Sequence, residues 1–264
     1  MIFIYDNIEL IVIMLLGMST GSFITMASYR LSLKDKKFFD LLLQPSKCPK
    51  CSNNLRALNL VPIFSWLFQR GKCSFCKSKI PVRYFLIEII NLVSFVLIYF
   101  ALNKKIDAQL ILILLIFLSL FLMIITDLEN YFISDFNQIF CAILIIIYHF
   151  LVTSKQVEGN DFLYYLFSAL FYLAFGLILH YIFKLVTKKD GIGVDDIKFF
   201  AVAGLALGID KFAIFLFLSG FIGIIFGAIW QKLKNDYSFP FAPALIAAFI
   251  ISFTINFEEW QLFY

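Results

Sequence analysis

Eight runs of apolar residues, separated by short polar stretches, organise this chain: 8–29, 84–102, 108–126, 133–153, 160–184, 197–208, 211–231 and 241–257. None alternates polar and apolar positions as a half-buried strand does, so each run predicts a helix. Crossing the hydrocarbon core takes about 20 apolar residues, and most of the runs reach that length. The sixth is short, and its border with the seventh is weakly marked. One polar stretch is far longer than the rest. The pattern therefore divides into a first helix (1–29), a loop subdomain (30–83) and a helical core (84–264).

Composition narrows the class. Of 264 residues, 62% are hydrophobic and 15% charged, more apolar surface than a soluble domain can bury. The expected fold is all-α and polytopic, a bundle of about eight transmembrane helices. Asp6 and Glu9 precede the first apolar core and no small-residue cleavage site follows it, so that run reads as a span rather than a secretory signal.

Basic residues orient the bundle. Residues 30–83 hold twelve Lys and Arg and two acidic residues, which places that loop in the cytoplasm by the positive-inside rule. Alternating spans then put 127–132, 185–196 and 232–240 on the same side, and the N-terminus and the tail with Glu258 and Glu259 outside. Lys188, Lys189, Lys232 and Lys234 lie on the inner side, while Lys104, Lys105, Lys155 and Lys211 are left outside. Because the basic residues flank spans rather than form a face, nucleic-acid binding is not expected. A membrane surface with anionic lipid is the expected partner of the loop.

The loop also carries Cys48-Pro-Lys-Cys51 and Cys73-Ser-Phe-Cys76, two CxxC pairs 21 residues apart. This spacing is close to that of a four-cysteine zinc site. A disulfide framework is disfavoured in a reducing compartment. Four thiolates would close the coordination sphere, so the expected Zn2+ is structural and organises a loop with little core of its own. Cys141, alone in an apolar run, reads as a packing residue.

Two carboxylates stand where a bilayer would exclude them. Asp127 closes the third run and Asp196 opens the sixth, within Gly191-Ile-Gly-Val-Asp-Asp196-Ile-Lys198. Such groups usually mark a functional site, and both fall at the inner boundary. A pair of this kind is the chemistry of aspartyl proteolysis. Gly191 and Gly193 are expected to let the backbone turn sharply and approach a substrate.

In their order along the chain these segments resemble one family, the type IV prepilin peptidases. Gly21-Ser-Phe-Ile-Thr-Met-Ala-Ser-Tyr-Arg30-Leu is similar to the family's opening GSFxNVxxxRLP. The stretch from Cys48 through Trp66, Arg70, Cys76 and Arg83 to Glu88 resembles its cytoplasmic loop. Asp127-Leu-Glu-Asn-Tyr-Phe-Ile-Ser-Asp135, Gly191 to Lys198, and Phe239-Pro240-Phe241-Ala242-Pro243-Ala244 resemble its later segments. The resemblance implies a bacterial inner-membrane aspartic peptidase with Asp127 and Asp196 as the catalytic pair. It would remove the basic leader of prepilins or pseudopilins of type IV pili or type II secretion, at the cytoplasmic face. Many members also N-methylate the new N-terminus with S-adenosylmethionine, and the resemblance carries that activity too, although no glycine-rich loop locates the methyl donor.

Four departures bear on this reading. Asp195 stands where the family has a glycine, so it competes with Asp196, although the register through Lys198 favours Asp196. Thr25 stands where the family typically has Asn, and Ser32 and Ser134 where it typically has Pro; these weaken the case for methylation. Glu88 is expected to pair with Arg83 or another cation, Asp135 to cap a helix, and Lys198 to tune Asp196 or to snorkel to the interface. His149 and His180 receive no role. Glu129, Asp190 and Asp195 are candidate contacts for a basic leader. Rival classes are a peptidase without methylation, a proton-coupled transporter, whose carboxylates should lie at the midplane of repeated helices, and a non-enzymatic assembly scaffold.

Overall fold

The computed structural model describes residues 2–31, 44–102, 105–151, 161–188, 191, 193–234 and 238–255, without the side chains of 2–7 and 161. Ser32, Lys104, Lys155, Lys189, Asp190, Glu258 and Glu259, invoked above, lie outside that description, as does the side chain of Asp6. Among the described residues there are nine α-helices: α1 (Ile2–Leu31), α2 (Phe64–Phe68), α3 (Val82–Ala101), α4 (Ala108–Asn130), α5 (Asp135–Leu151), α6 (Asp161–Thr187), α7 (Val194–Leu207), α8 (Phe212–Lys234) and α9 (Ala242–Thr254). Eight correspond to the eight apolar runs, and α2 belongs to the loop. Ile8–Leu31 of α1, α3, α4, Phe162–Thr187 of α6, and α8 are long and apolar enough to cross a membrane. Helices α5 and α9 are apolar but shorter, and α7 has 14 residues. The chain is an all-helical, multi-pass membrane protein.

It forms two compact units, Met1–Ile125 and Thr126–Tyr264. In the first, α1 packs on α3. Their crossing is close because two glycines lie at it. A Cβ on Gly21 would come within 2.9 Å of the Glu88 Cα, and one on Gly17 within 3.0 Å of the Leu92 Cα. The Asn91 amide donates across the crossing to the Gly17 carbonyl (2.7 Å) and the Thr20 hydroxyl (2.9 Å). Small residues and interhelical hydrogen bonds are what join helices in lipid, where apolar surface alone gives no net attraction. Buried Ile13, Phe95, Tyr99, Leu110 and Leu114 form one apolar cluster, and Ile24, Ala27, Ile87, Phe121, Leu122 and Ile125 another.

The loop is pinned to these helices at both ends. Arg30 donates to the Gln44 carbonyl (2.8 Å). The Glu88 carboxylate accepts the Ile63 N–H at 2.6 Å, so its partner in the loop is a backbone donor where a cation was expected. Trp66 stacks on Phe85 with centroids 4.8 Å apart. Gly71 has φ +64, and a Cβ there would lie 2.9 Å from the Trp66 ring; both constraints select glycine.

In the second unit α7 is central. It packs on α5, α6 and α9, and nine of its residues are buried. A helix apolar on every face is stable only when enclosed. Gly204 lets α6 approach, since a Cβ there would lie 2.7 Å from the Ser168 carbonyl oxygen. The far end of α7 is closed at Gly208, φ +72, whose carbonyl accepts the Tyr172 hydroxyl at 3.0 Å. His149 approaches the Leu205 carbonyl (3.0 Å) and stacks on Tyr165. Cys141 is fully buried, as a packing residue should be. Helix α8 pairs with α9. The near end of α7 carries Asp195 and Asp196.

Candidate functional site

Helix α4 continues past its apolar run and takes Asp127 into its last turn. It stops because Tyr131 adopts φ +52 and its N–H bonds the Asp127 carbonyl at 2.9 Å, a left-handed C-terminal cap. The Asp127 side chain is only 6% exposed. Its Oδ2 accepts the N–H of Ala242 at 2.9 Å. Ala242 is the first residue of α9, where backbone donors have no partner within the helix and the dipole presents positive charge. Pro243 has no N–H to offer, so Ala242 is the donor at that helix start.

Asp196 occupies the third position of α7, after the N-cap Gly193. Its carboxylate reaches back and accepts the Gly193 N–H, one half of a capping box. A Cβ at Gly193 would lie 3.0 Å from the Asp196 Oδ2, while the backbone there is ordinary, with φ −63 and ψ 143. The expected sharp turn is therefore not what requires glycine at 193. The space taken by the Asp196 carboxylate is. Asp196 and Asp127 lie close enough for their charges to repel. The starts of α7 and α9 thus hold one carboxylate each, and the charges of Asp127, Asp195 and Asp196 act on one another. Like charges held near each other resist ionising together, and a pair that shares a proton can serve as acid and base.

Asp195, whose charge also acts on Asp127 and Asp196, has further partners. Its Oδ2 accepts the Ile133 N–H (3.4 Å), its Oδ1 meets Lys198 Nζ (3.3 Å), and its carbonyl accepts the Gln138 amide (3.1 Å). Lys198 also bonds Asp135 Oδ1 at 2.5 Å. Lys198, expected to tune Asp196 or to snorkel to the interface, joins Asp195 to the first residue of α5. Asp135 serves as an ion-pair partner at a helix start. The Ser134 carbonyl accepts the Gln138 N–H of the first turn of α5, and Thr25 turns its hydroxyl onto the Ser22 carbonyl of its own helix.

In the first unit the four cysteines converge, with their sulfurs all within 4.8 Å of one another. The two CxxC turns have the same construction. Cys48 and Cys73 carbonyls accept the N–H groups of Ser52 (2.9 Å) and Lys77 (3.0 Å), and their own N–H groups bond the carbonyls of Asn53 (3.0 Å) and Ser78 (2.8 Å). Ser52 and Lys77, each following a second cysteine, both have φ +57. Backbone N–H groups also point at sulfur: Cys51 and Lys50 toward Cys48, Asn53 toward Cys51, Ser78 toward Cys76. The Ser78 hydroxyl and then its N–H push the Cys76 thiol down to about 6. The Asn53 N–H lowers the Cys51 thiol, but burial and the sulfurs of Cys48 and Cys76 outweigh it and hold Cys51 at about 11. Four crowded sulfurs cannot all be anionic with nothing between them; a cation at their centre removes that conflict. The group is suited to holding a metal ion.

Residues 15–102 match the bacterial peptidase A24 N-terminal domain, and residues 112–228 match the type IV leader peptidase family. A protein of Neisseria gonorrhoeae named prepilin leader peptidase/N-methyltransferase is 30% identical over 270 residues, covering 93% of this chain and 90% of its own. The chain belongs to the type IV leader peptidase family. Membership makes it an enzyme, a peptidase. Proteins with the same name from Bacillus subtilis (29% identical, covering 92% of each chain) and Vibrio cholerae (27%, covering 94% of this chain and 97% of its own) are also similar. No solved structure matches.

For this leader peptidase, sequence reasoning missed one participant, the Ala242 N–H. The Phe239–Ala244 segment stood out only by resemblance. Its prolines at 240 and 243 were the available signal of a helix start.

Proposed function

We propose that the chain removes the basic leader of type IV prepilins or pseudopilins at the cytoplasmic face of the bacterial inner membrane, with Asp127 and Asp196 as the catalytic pair, and then N-methylates the new N-terminus. The observation that carries the reading is that Asp127 and Asp196 are each held by a backbone N–H at a helix N-terminus, with their charges acting on each other. With one proton shared between them, the ionised carboxylate takes a proton from water as its oxygen attacks the scissile carbonyl. The protonated carboxylate donates to the developing oxyanion, and a proton then passes to the departing amine. The Ala242 N–H occupies one oxygen of Asp127 and leaves the other for water. Asp195, tied to Ile133, Lys198 and Gln138, holds the α4–α5 loop against the start of α7.

The basic loop supports the orientation. A prepilin has its basic leader in the cytoplasm and its apolar helix in the bilayer, so its scissile bond would come to the inner interface, where Asp127 and Asp196 are placed by the positive-inside rule. Cys48, Cys51, Cys73 and Cys76 would hold Zn2+ in a closed site, which fixes the loop and supplies no open coordination position for catalysis. The relatives' names pair the peptidase with an N-methyltransferase, and S-adenosylmethionine would be the methyl donor.

The test is the intact mass of a prepilin co-expressed with the enzyme. Loss of the leader with gain of one methyl group is expected, and neither change with Asp127→Ala or Asp196→Ala. Leader loss without the methyl group removes the second activity. A panel of prepilins and pseudopilins that all stay uncut removes the first.

A further inference from the structure

We propose that the cysteine subdomain is itself seated in the membrane interface, with Leu58, Phe64, Leu67 and Phe68 embedded in the lipid of the bilayer that the spans cross. The side chains of this segment face outward to an unusual degree: Phe68 is 84% exposed and Leu58 81%, with Phe64 and Leu67 near half. A contiguous apolar edge of this kind marks an interaction surface.

Its depth points to lipid. Ile63 is bonded to Glu88, and Trp66 is stacked on Phe85, so α2 lies beside residues 85–88 of the α3 span. These are three to six residues from the start of α3 at Val82, roughly 5–9 Å along its axis at about 1.5 Å per residue. Interfacial helices place their apolar face about 5–10 Å into the headgroup and acyl boundary. Val82 and Leu86 of α3, at the same level, are also exposed.

Charge separates lipid from the other occupants. Residues 44–83 contain eight Lys and Arg and no Asp or Glu. A second copy of the same surface would be repelled, and so would a basic leader. An anionic bilayer surface attracts both features at once, apolar side chains below and cations at the headgroups.

Photocrosslinking of the full chain in nanodiscs made from equal amounts of dioleoyl-phosphatidylglycerol and dioleoyl-phosphatidylcholine tests this. The photoreactive residue p-benzoylphenylalanine replaces Phe68, or Leu58 in a second variant. The outward-facing Leu97 of α3, 62% exposed, serves as the lipid-facing control. Phospholipid-mass adducts are expected at 58 and 68 as at 97. At 58 and 68 the anionic lipid should be favoured about fivefold, the preference that one basic side chain near the surface confers. Adducts at 58 and 68 to a second chain or to added prepilin overturn the proposal. So does the absence of adducts at both positions while 97 yields lipid.

Discussion

Gly193→Ala is a perturbation small enough to isolate the geometry of the carboxylate pair. The native backbone at 193 has φ −63 and ψ 143, which alanine adopts freely, so no strain enters through the main chain. The new methyl would lie 3.0 Å from the Asp196 Oδ2. A contact that tight moves the carboxylate by a few tenths of an ångström or rotates it away from the Gly193 N–H. A charge-assisted hydrogen bond is worth about 1.5–3 kcal/mol, and partial loss of it, about 1–2 kcal/mol, corresponds to roughly 5–30-fold in rate. Misplacement of a reacting group by about 1 Å costs roughly 100-fold, which bounds the effect from above. Leader cleavage by enzyme in nanodiscs should therefore fall roughly 5–30-fold in kcat, with KM nearly unchanged and stability lowered by no more than about the same 1–2 kcal/mol. Gly220→Ala is the matched control, because a Cβ there meets nothing within 4 Å and activity should stay at the native level. Full activity in Gly193→Ala would refute the claim that the Asp196 carboxylate must sit where the glycine leaves room.

Asp195→Asn should lower stability by less than about 1 kcal/mol, the value of an ion pair open to solvent, and keep cleavage; loss of cleavage at native stability, read by thermal melting beside the rate, would assign Asp195 to the chemistry. The pH profile of kcat should be a bell, because the active form has one proton on the pair: activity falls in acid as both carboxylates protonate and in alkali as both ionise. A rate that climbs steadily with pH would contradict proton sharing. Purified enzyme should contain one zinc per chain by metal analysis, and Cys48→Ser should lose it and expose residues 44–81 to proteolysis; a metal-free native protein would remove the zinc assignment. Gly21→Val should destabilise the α1–α3 crossing by about 1–3 kcal/mol, as overpacking does, because the Glu88 backbone 2.9 Å away cannot yield as a side chain can; an unchanged melting temperature would show that the helices do not meet there.

Much of the architecture was legible because its causes are local. Apolar runs of membrane length predict their own helices, and the run at 84–102 agrees with Val82–Ala101 to within two residues. The CxxC pairs were legible for the same reason, since each turn is built within six residues. Helix ends were harder. The run ending at 126 stopped at its first charge, yet α4 continues to Asn130 because Asp127 is held by a backbone donor 115 residues away. No side-chain pattern announces such a donor. Adjacent carboxylates were ambiguous for a geometric reason: neighbours on a helix point about 100° apart, and the sequence does not say which direction the partner lies. Here Asp195 bonds Ile133 and Lys198, and the Asp196 carboxylate turns back to the Gly193 N–H. Glu88 misled in the same way, finding its partner in the Ile63 N–H 25 residues away, and Lys198 reaches Asp135 on α5 as well as its near neighbour Asp195.

The most direct test of the central claim is leader cleavage by purified Asp127→Asn, Asp196→Asn and Asp195→Asn enzymes, assayed side by side in nanodiscs on one prepilin. The first two keep the shape of the site and remove one titrating group each; they should lose at least the roughly 100–10,000-fold that a positioned acid or base contributes, while Asp195→Asn continues to cut. Native-like cleavage by either of the first two, or its loss in Asp195→Asn alone, would contradict the assignment of Asp127 and Asp196 as the catalytic pair.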